Sequence, residues 1–244
     1  MNETDGMALM SIGAGACQEG WQAYRTADGG RTWQVAGEIL GEDGPIALAV
    51  APKVTPWFLN GSCAGPYATL LRYSGKQWLL VHELTLPAAA AKRYFNPSAV
   101  SLQRNGAKGA LVVVAYYPVQ GDTHPPLLQG YRTADGGATW QLLTFGNQGL
   151  AATVSAITFY NTREGLAATR SAGGRLTLHV THDGGRHWLP VQVSIPERDY
   201  QLSIQWRTLQ WLNAKVADVL VGETLWRTTN GGTTWRAITS KWPK

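Results

Sequence analysis

Two cysteines in 244 residues, Cys17 and Cys63, allow one disulfide at most. Charge is scarce at 15% of residues against 44% hydrophobic, a balance that excludes intrinsic disorder. Long apolar runs are missing too. The longest, around Ala110–Tyr117, is about half of what a bilayer-spanning helix needs. No basic leader opens the chain, whose first six residues (MNETDG) are acidic, so no signal peptide is read there. The 21 Lys and Arg exceed the 16 Asp and Glu by 5 but are scattered singly, which excludes a nucleic-acid footprint and leaves a mild bias toward anionic partners. What is abundant is 28 Gly, 12 Pro and 11 Trp, a turn-former and aromatic content that excludes an all-helical fold and points to short strands. The length fits one large domain or two small ones.

Four segments align without gaps: Thr26–Trp33 (TADGGRTW), Thr133–Trp140 (TADGGATW), Thr181–Trp188 (THDGGRHW) and Thr228–Trp235 (TTNGGTTW). A fifth, degenerate copy is Leu71–Trp78 (LRYSGKQW), with Tyr73 at the Asp position. The tryptophans Trp33, Trp78, Trp140, Trp188 and Trp235 are spaced by 45, 62, 48 and 47 residues, a period that suits four-strand units. Each copy reads as a hairpin turn. Asp28, Asp135, Asp183 or Asn230 accepts backbone N–H groups, the glycines ending at Gly30, Gly137, Gly185 and Gly232 supply positive φ, and the Trp begins the return strand. The Gly-Gly pair could also cradle a phosphate, but no helix follows it.

This pattern resembles the Asp-box, or BNR repeat, of β-propellers, and most of all the non-catalytic propellers related to the photosystem II assembly factor and the sortilin-type ectodomain. Sialidases and some endoglucanases carry the same box. The resemblance implies an all-β propeller of about five four-stranded blades, a single domain over 1–244 with blades near 1–39, 40–84, 97–145, 150–193 and 201–240. It implies that the box closes the turn between third and fourth strands, away from the ligand face, and it is weak evidence for activity.

A fainter element, Asn-x-x-x-Gly, marks the turn between first and second strands at Asn105–Gly109 and Asn161–Gly165, and Asn213 begins a relative of it. The chain opens with the same element, Asn2–Gly6, so the first blade is expected to lack its innermost strand and the chain to be a fragment of a longer propeller.

Both turn types then share one face, which leaves the other for function. That face gathers Cys17–Gly20, Gly37–Gly44, Gly61–Pro66, Leu86–Asn96, Pro118–Pro126, Asn147–Ala151, Ser171–Gly174, Ser194–Gln201 and Gly222–Glu223. Ala88–Ala91 after Pro87 predicts a helical turn or two. Cys17 and Cys63 fall in the same loop type of adjacent blades, so a disulfide and an oxidising compartment are favoured over two thiols in a reducing one. Glu42, Asp43, Arg93, Tyr94, Asp122, His124, Glu197, Arg198, Asp199 and Tyr200 form the candidate binding surface of mixed charge. His182 and His187 flank Asp183 but occupy variable turn positions on the opposite face, and no metal or other cofactor is expected. His82 and His179 read as ordinary strand positions.

Three functions compete. A non-enzymatic extracytoplasmic binding or assembly propeller, secreted or lipid-anchored with its targeting segment outside this chain, is favoured. Its partner would be a protein or carbohydrate on the loop face, with no nucleic acid and no membrane span. A glycosidase is the alternative. The Arg-Ile-Pro element of sialidases is absent, and the only carboxylate pairs on offer are Asp43 with Asp199 and Asp122 with Glu197, so no enzyme is expected. A lectin is the third, with Trp21, Trp57, Trp206, Trp211, Trp226 and Trp242 left free for sugar stacking.

Overall fold

The computed structural model describes residues 4–42, 44–51, 54–120, 124–150, 153–170, 176–191, 209–221 and 224–238. Two compact units divide the chain, one of residues 1–122 and 129–143, the other of 123–128 and 144–244. In both, strands adjacent in sequence pair antiparallel, as short strands joined by tight turns must.

The first unit holds a sheet of β1 (Gly6–Gly15), β2 (Gln18–Thr26) and β3 (Gln34–Glu42), in that order. A second sheet follows: β4 (Ile46–Ala51), β5 (Val54–Gly61), β6 (Tyr67–Tyr73) and β7 (Trp78–Thr85). After the one-turn helix α1 (Ala88–Ala91) comes the third: β8 (Tyr94–Asn105), β9 (Gly109–Pro118), β10 (Leu127–Thr133) and β11 (Gln141–Phe145), whose residues 127–128 and 144–145 fall in the second unit. Buried Trp21, Ile39 and Phe58 join the first two sheets. Each such side chain taken from water contributes about 1.5–3 kcal/mol.

The second unit contains the fourth sheet, β12 (Thr153–Phe159), β13 (Gly165–Arg170), β14 (Leu176–Thr181) and β15 (Leu189–Val191). It also contains the fifth, β16 (Leu209–Trp211), β17 (Ala217–Val221), β18 (Thr224–Thr228) and β19 (Arg236–Ile238). Its core packs Leu166, Leu178 and Val180 against Trp211, Val219 and Trp226.

The four DGG or NGG turns share one hydrogen-bond scheme. In the third sheet the Thr133 hydroxyl donates to Asp135 (2.8 Å) and accepts from the Gly137 amide (3.0 Å), while Asp135 accepts the Thr139 amide (3.0 Å) and hydroxyl (2.6 Å). Asp28, Asp183 and Asn230 accept the amides of Thr32, His187 and Thr234 in the same way. Both glycines of each pair have positive φ, as in Gly136 (78°) and Gly137 (93°), where any side chain would be strained. At the degenerate copy Gly75 (φ 94°) survives and the Ser74 hydroxyl accepts the Gln77 amide (3.0 Å).

The first glycine of each turn also donates to the carbonyl of the other turn type: Gly29 to Thr4 (2.8 Å), Gly136 to Lys108 (2.8 Å), Gly184 to Arg163 (3.0 Å) and Gly231 to Lys215 (2.9 Å). The two turn types therefore sit at the same end of each sheet. Thr4, before β1, plays the part that Lys108, Arg163 and Lys215 play before β9, β13 and β17, which makes β1 equivalent to a second strand.

Several sequence expectations are corrected. Trp33, Trp140, Trp188 and Trp235 stand one residue before the return strand, and only Trp78 begins it, because the Thr or His before each of the four is still held by the turn. Gln18–Gly20 and Gly37–Glu42, expected as loops, are strand: the register runs unbroken from Gln18↔Glu42 to Ala23↔Gly37. Trp33 is 45% exposed, its indole N–H bonded to Gly30 of its own turn (3.1 Å), whereas Trp140 stacks on His82 and packs tilted against Trp57, both of the preceding sheet. Trp21, Trp57, Trp211 and Trp226 are buried core residues and unavailable for stacking on a sugar, while Trp206 and Trp242 lie outside the described residues.

Candidate functional site

A cleft of about 710 Å³ opens in the first unit where the loop ends of the first two sheets diverge. Ile12–Gly15 of β1, Gln18–Gly20 of β2 and Leu40–Glu42 of β3 form one wall; Phe58 and Asn60 of β5 with Thr69 and Leu71 of β6 form the other. Glycine makes the room. A side chain on Gly41 would meet the Asn60 amide oxygen at 2.5 Å, and one on Gly20 would meet Ile12 at 2.9 Å.

Glu42 ties the walls together. Its backbone N–H donates to the Asn60 side-chain oxygen (2.7 Å), and the Asn60 amide donates back to its carbonyl (3.0 Å), an amide side chain standing in for a ladder pair. Its carboxylate accepts the Ser62 hydroxyl (2.5 Å), the Cys63 amide (2.9 Å) and the Tyr67 hydroxyl. Burial pushes the Glu42 carboxyl up, and the hydrogen bonds from Ser62, Tyr67 and Cys63 more than reverse this, holding it below the usual glutamate range. The same bond to Glu42 raises Tyr67.

At the cleft mouth Cys17 and Cys63 form a disulfide with Cα atoms 5.9 Å apart. Cys17 belongs to the two-residue β1–β2 turn, where Ala16 (φ 49°) and Cys17 (φ 69°) are both left-handed. That turn type suits strand twist, but a Cβ there costs roughly 1–2 kcal/mol per residue. Cys17, Glu42 and Cys63 bring ligand atoms within 4.8 Å of one another, yet the sulfurs are bonded to each other and offer no thiolate to a cation.

Glu19 faces the cleft on the register that buries Trp21 and Ala23. It is 6% exposed and lines the cleft from β2. A carboxylate that lines a cleft can accept a donor from whatever fills it. Sequence reasoning passed over Glu19. The signal was a lone Glu in phase with Trp21 and Ala23, where a core residue belongs.

Of the candidates named from sequence, Glu42 is at the cleft. Arg93 is exposed after α1 and its carbonyl accepts the Val119 amide (2.8 Å); Tyr94 begins β8 opposite Pro118. His124 is exposed and belongs to the second unit. Asp43, Asp122, Glu197, Arg198, Asp199 and Tyr200 lie outside the described residues, and with them both proposed carboxylate pairs. His182 bonds Glu164 (2.5 Å) and His187 bonds Asp183 (2.8 Å), each in an exposed turn. Among the described residues no helix is long and apolar enough to cross a membrane.

No protein-family model matches the sequence, and no curated protein matches it. Solved structures do. An α-L-arabinofuranosidase of Fusarium graminearum with arabinobiose matches at 11% identity and TM-score 0.57, over 99% of this chain and 82% of that one. An α-L-arabinanase of Penicillium chrysogenum with arabinobiose matches at 14% and 0.58, over 98% and 81%. YCF48 from Cyanidioschyzon merolae matches at 14% identity and TM-score 0.49, over 90% of this chain and 66% of that one. The expectation that the chain is not an enzyme is thereby corrected: propellers that superpose on nearly all of it are glycosidases, so the missing sialidase element does not exclude activity. At such identities the likeness establishes the fold, an all-β propeller of five antiparallel sheets, and leaves its chemistry to the site.

Proposed function

We propose that this chain is a protein-binding propeller that works outside the cytoplasm and takes a partner segment in the cleft between its first two sheets. One observation carries the reading: Leu40, 86% exposed, and Ile12, 50% exposed, border a concavity walled by Phe58 and Leu71. Large apolar side chains left in water around a cleft mark a binding surface. Glu19 adds a preference for a partner with a Lys or Arg beside its apolar anchor. The Cys17–Cys63 disulfide supports an oxidising compartment. Screening a displayed peptide library against the chain tests this. Apolar-basic sequences should be enriched, and the enrichment should vanish with Leu40→Asp and weaken with Glu19→Gln. A library that enriches nothing, or that ignores Leu40→Asp, sinks the proposal.

The fold likeness to arabinan-active enzymes and the two carboxylates in one cleft favour a second reading, glycoside hydrolysis. Glu42, kept ionised by its three donors, suits the base or nucleophile, and Glu19 the acid. Arabinose release from arabinan that is lost in both Glu19→Gln and Glu42→Gln would support it; release that survives either substitution would refute it.

A further inference from the structure

In the sequence Lys and Arg are scattered singly, but the fold gathers them. In the first unit Arg25, Arg31, Arg72, Lys76, Lys108 and Arg132 all fall at the end of their sheets where the tight glycine turns lie, and all six are exposed. Arg25, Arg72 and Arg132 are the penultimate residues of β2, β6 and β10; the other three stand in the turns themselves. None of the six forms an ion pair with another described residue. Asp28 and Asp135 spend their carboxylates on the threonines of their own turns, which leaves Asp5 as the other described acid at this end. The cleft end of the same sheets holds Glu19, Glu42 and Glu83 against Lys92 and Arg93 among the described residues. The positive surplus of the unit therefore sits at its turn end.

The three turn ends lie side by side. Arg104 of the third sheet covers Trp57 of the second, and burial followed by the charge of nearby Arg72 lowers its pKa. A side chain on Gly137 would meet Val81 and Trp57 of the second sheet, and one on Gly37 of the first would reach the Lys76 carbonyl at 3.8 Å. Like charges gathered on one surface repel one another unless an anion offsets them. The second unit, taken by itself, repeats the pattern: Arg163, Arg186, Lys215 and Arg236 are exposed at turn ends, while the acids there, Glu164, Asp183 and Asp218, are bonded to His182, His187 and Arg227.

The arrangement also says what kind of anion fits. The cations stand on separate turns and strand ends spread over three sheets, and the cleft lies at the opposite end, so they face a broad anionic surface rather than line a groove for one polymer strand. Apolar side chains stand among them. Val35, Leu80 and Leu142, 65%, 66% and 51% exposed, fall within the first three residues of β3, β7 and β11, just after the turns. Exposed aliphatic groups beside Lys and Arg suit a bilayer interface, where the cations meet headgroups and the apolar groups enter the boundary beneath them.

We propose that the turn end of the first unit docks on the surface of an anionic lipid bilayer. Docked in this way, the cleft at the other end of the sheets faces solution and stays open to its own ligand. The inference uses the end that the cleft leaves idle, and it holds or fails independently of what the cleft binds.

The probe is a pair of sedimentable vesicles, one of phosphatidylcholine alone and one with about 30% phosphatidylglycerol, each mixed with the full chain. Sedimentation with the anionic vesicles alone is expected at about 0.1 M salt, with release at about 0.5 M. Two charge-matched pairs locate the contact: Lys76→Glu with Lys108→Glu at the turn end, and Lys92→Glu with Arg93→Glu at the cleft end. The first pair should weaken partitioning by about twentyfold or more, since each basic residue near such a surface contributes about fivefold. The second should change it by less than about twofold, because the cleft end is held beyond the Debye length. Leu80→Gln should weaken vesicle binding without changing retention on an acidic polysaccharide column. Melting curves check that the variants fold, and Lys76→Gln with Lys108→Gln is the milder substitute if charge reversal unfolds the chain. No sedimentation with anionic vesicles, or equal loss in the two pairs, would overturn the proposal. So would vesicle binding indifferent to Leu80→Gln in a chain that the polysaccharide holds at higher salt. Peptide selection at the cleft is read without lipid, so failure there and failure here are separate results.

Discussion

The guanidinium of Arg104 lies over the indole of Trp57, 3.9 Å from the ring centroid, and links β8 to β5. Arg104 is 8% exposed and donates from Nη2 to the Ala107 carbonyl (2.6 Å). Burial, helped by the charge of Arg72, lowers its pKa, so a cation is being held where solvation is poor and the ring face replaces water. Arg104→Ala is expected to cost about 2–3 kcal/mol, from the lost contact and the gap left by its stem. Arg104→Met, which keeps the volume and removes the buried charge, should cost less. Urea melts of the two variants check the order; a costlier Met would show that the charge outweighs the packing.

Thr133 is buried and serves its turn through a single oxygen that donates to Asp135 and accepts the Gly137 amide. Thr133→Val keeps the shape and orphans that amide, a loss of about 1–3 kcal/mol. Thr133→Ser should retain most of the stability. Thermal melts of the pair separate the hydroxyl from the methyl.

How much of this was legible is clearest at the turns and at Pro97. Asp or Asn followed by Gly-Gly announces itself because few residues tolerate positive φ, and the helix at Ala88–Ala91 followed from Pro87 and four alanines. The repeat period puts the first strand of the third blade at Ser98–Gln103, after Pro97. Instead β8 starts at Tyr94 and passes through the proline, with register shifts on either side of it. β8 is the edge of its sheet, the place where a missing N–H is tolerated. Edge position is a property of the assembled sheet and no single stretch of sequence carries it. The cleft was hidden for a related reason: Glu19 and Gly41 become neighbours only through β2–β3 register.

Acid should weaken the turns in a way that can be engineered out. Hydrogen bonds from Thr32, side chain and backbone, and from Thr26 hold Asp28 at about 2. Asp135 is depressed by Thr139, and Asp183 by the His187 amide and ring, both to well below the usual range. Because folded values lie below the unfolded value of about 3.9, their stabilisation is present above it and lost as pH falls through the folded values, a window of roughly pH 4 down to 2 or lower. Asn230 holds the same turn without titrating. The triple variant Asp28→Asn, Asp135→Asn, Asp183→Asn should therefore show a shallower fall in Tm over that window than the wild type. Parallel curves would mean that these carboxylates carry no pH-linked stability.

Opening the Cys17–Cys63 bond frees a 46-residue separation and should lower stability by about 3–4 kcal/mol on the loop-closure estimate. It also removes the restraint on the left-handed Ala16–Cys17 turn. Melts with and without reductant measure the loss. Adding Ala16→Gly should return part of it, up to about 1 kcal/mol, by relieving the turn.

Every sheet is built from strands consecutive in the chain, so each can form as a local meander before it meets its neighbours. The disulfide is different: its sulfurs come from the turns of two separate meanders. Each meander is free to form with both thiols reduced, and correct oxidation then has to wait until the first two sheets have docked through Trp21, Ile39 and Phe58. The bond thus acts as a late latch on the cleft it borders, closing on a geometry that packing has already selected.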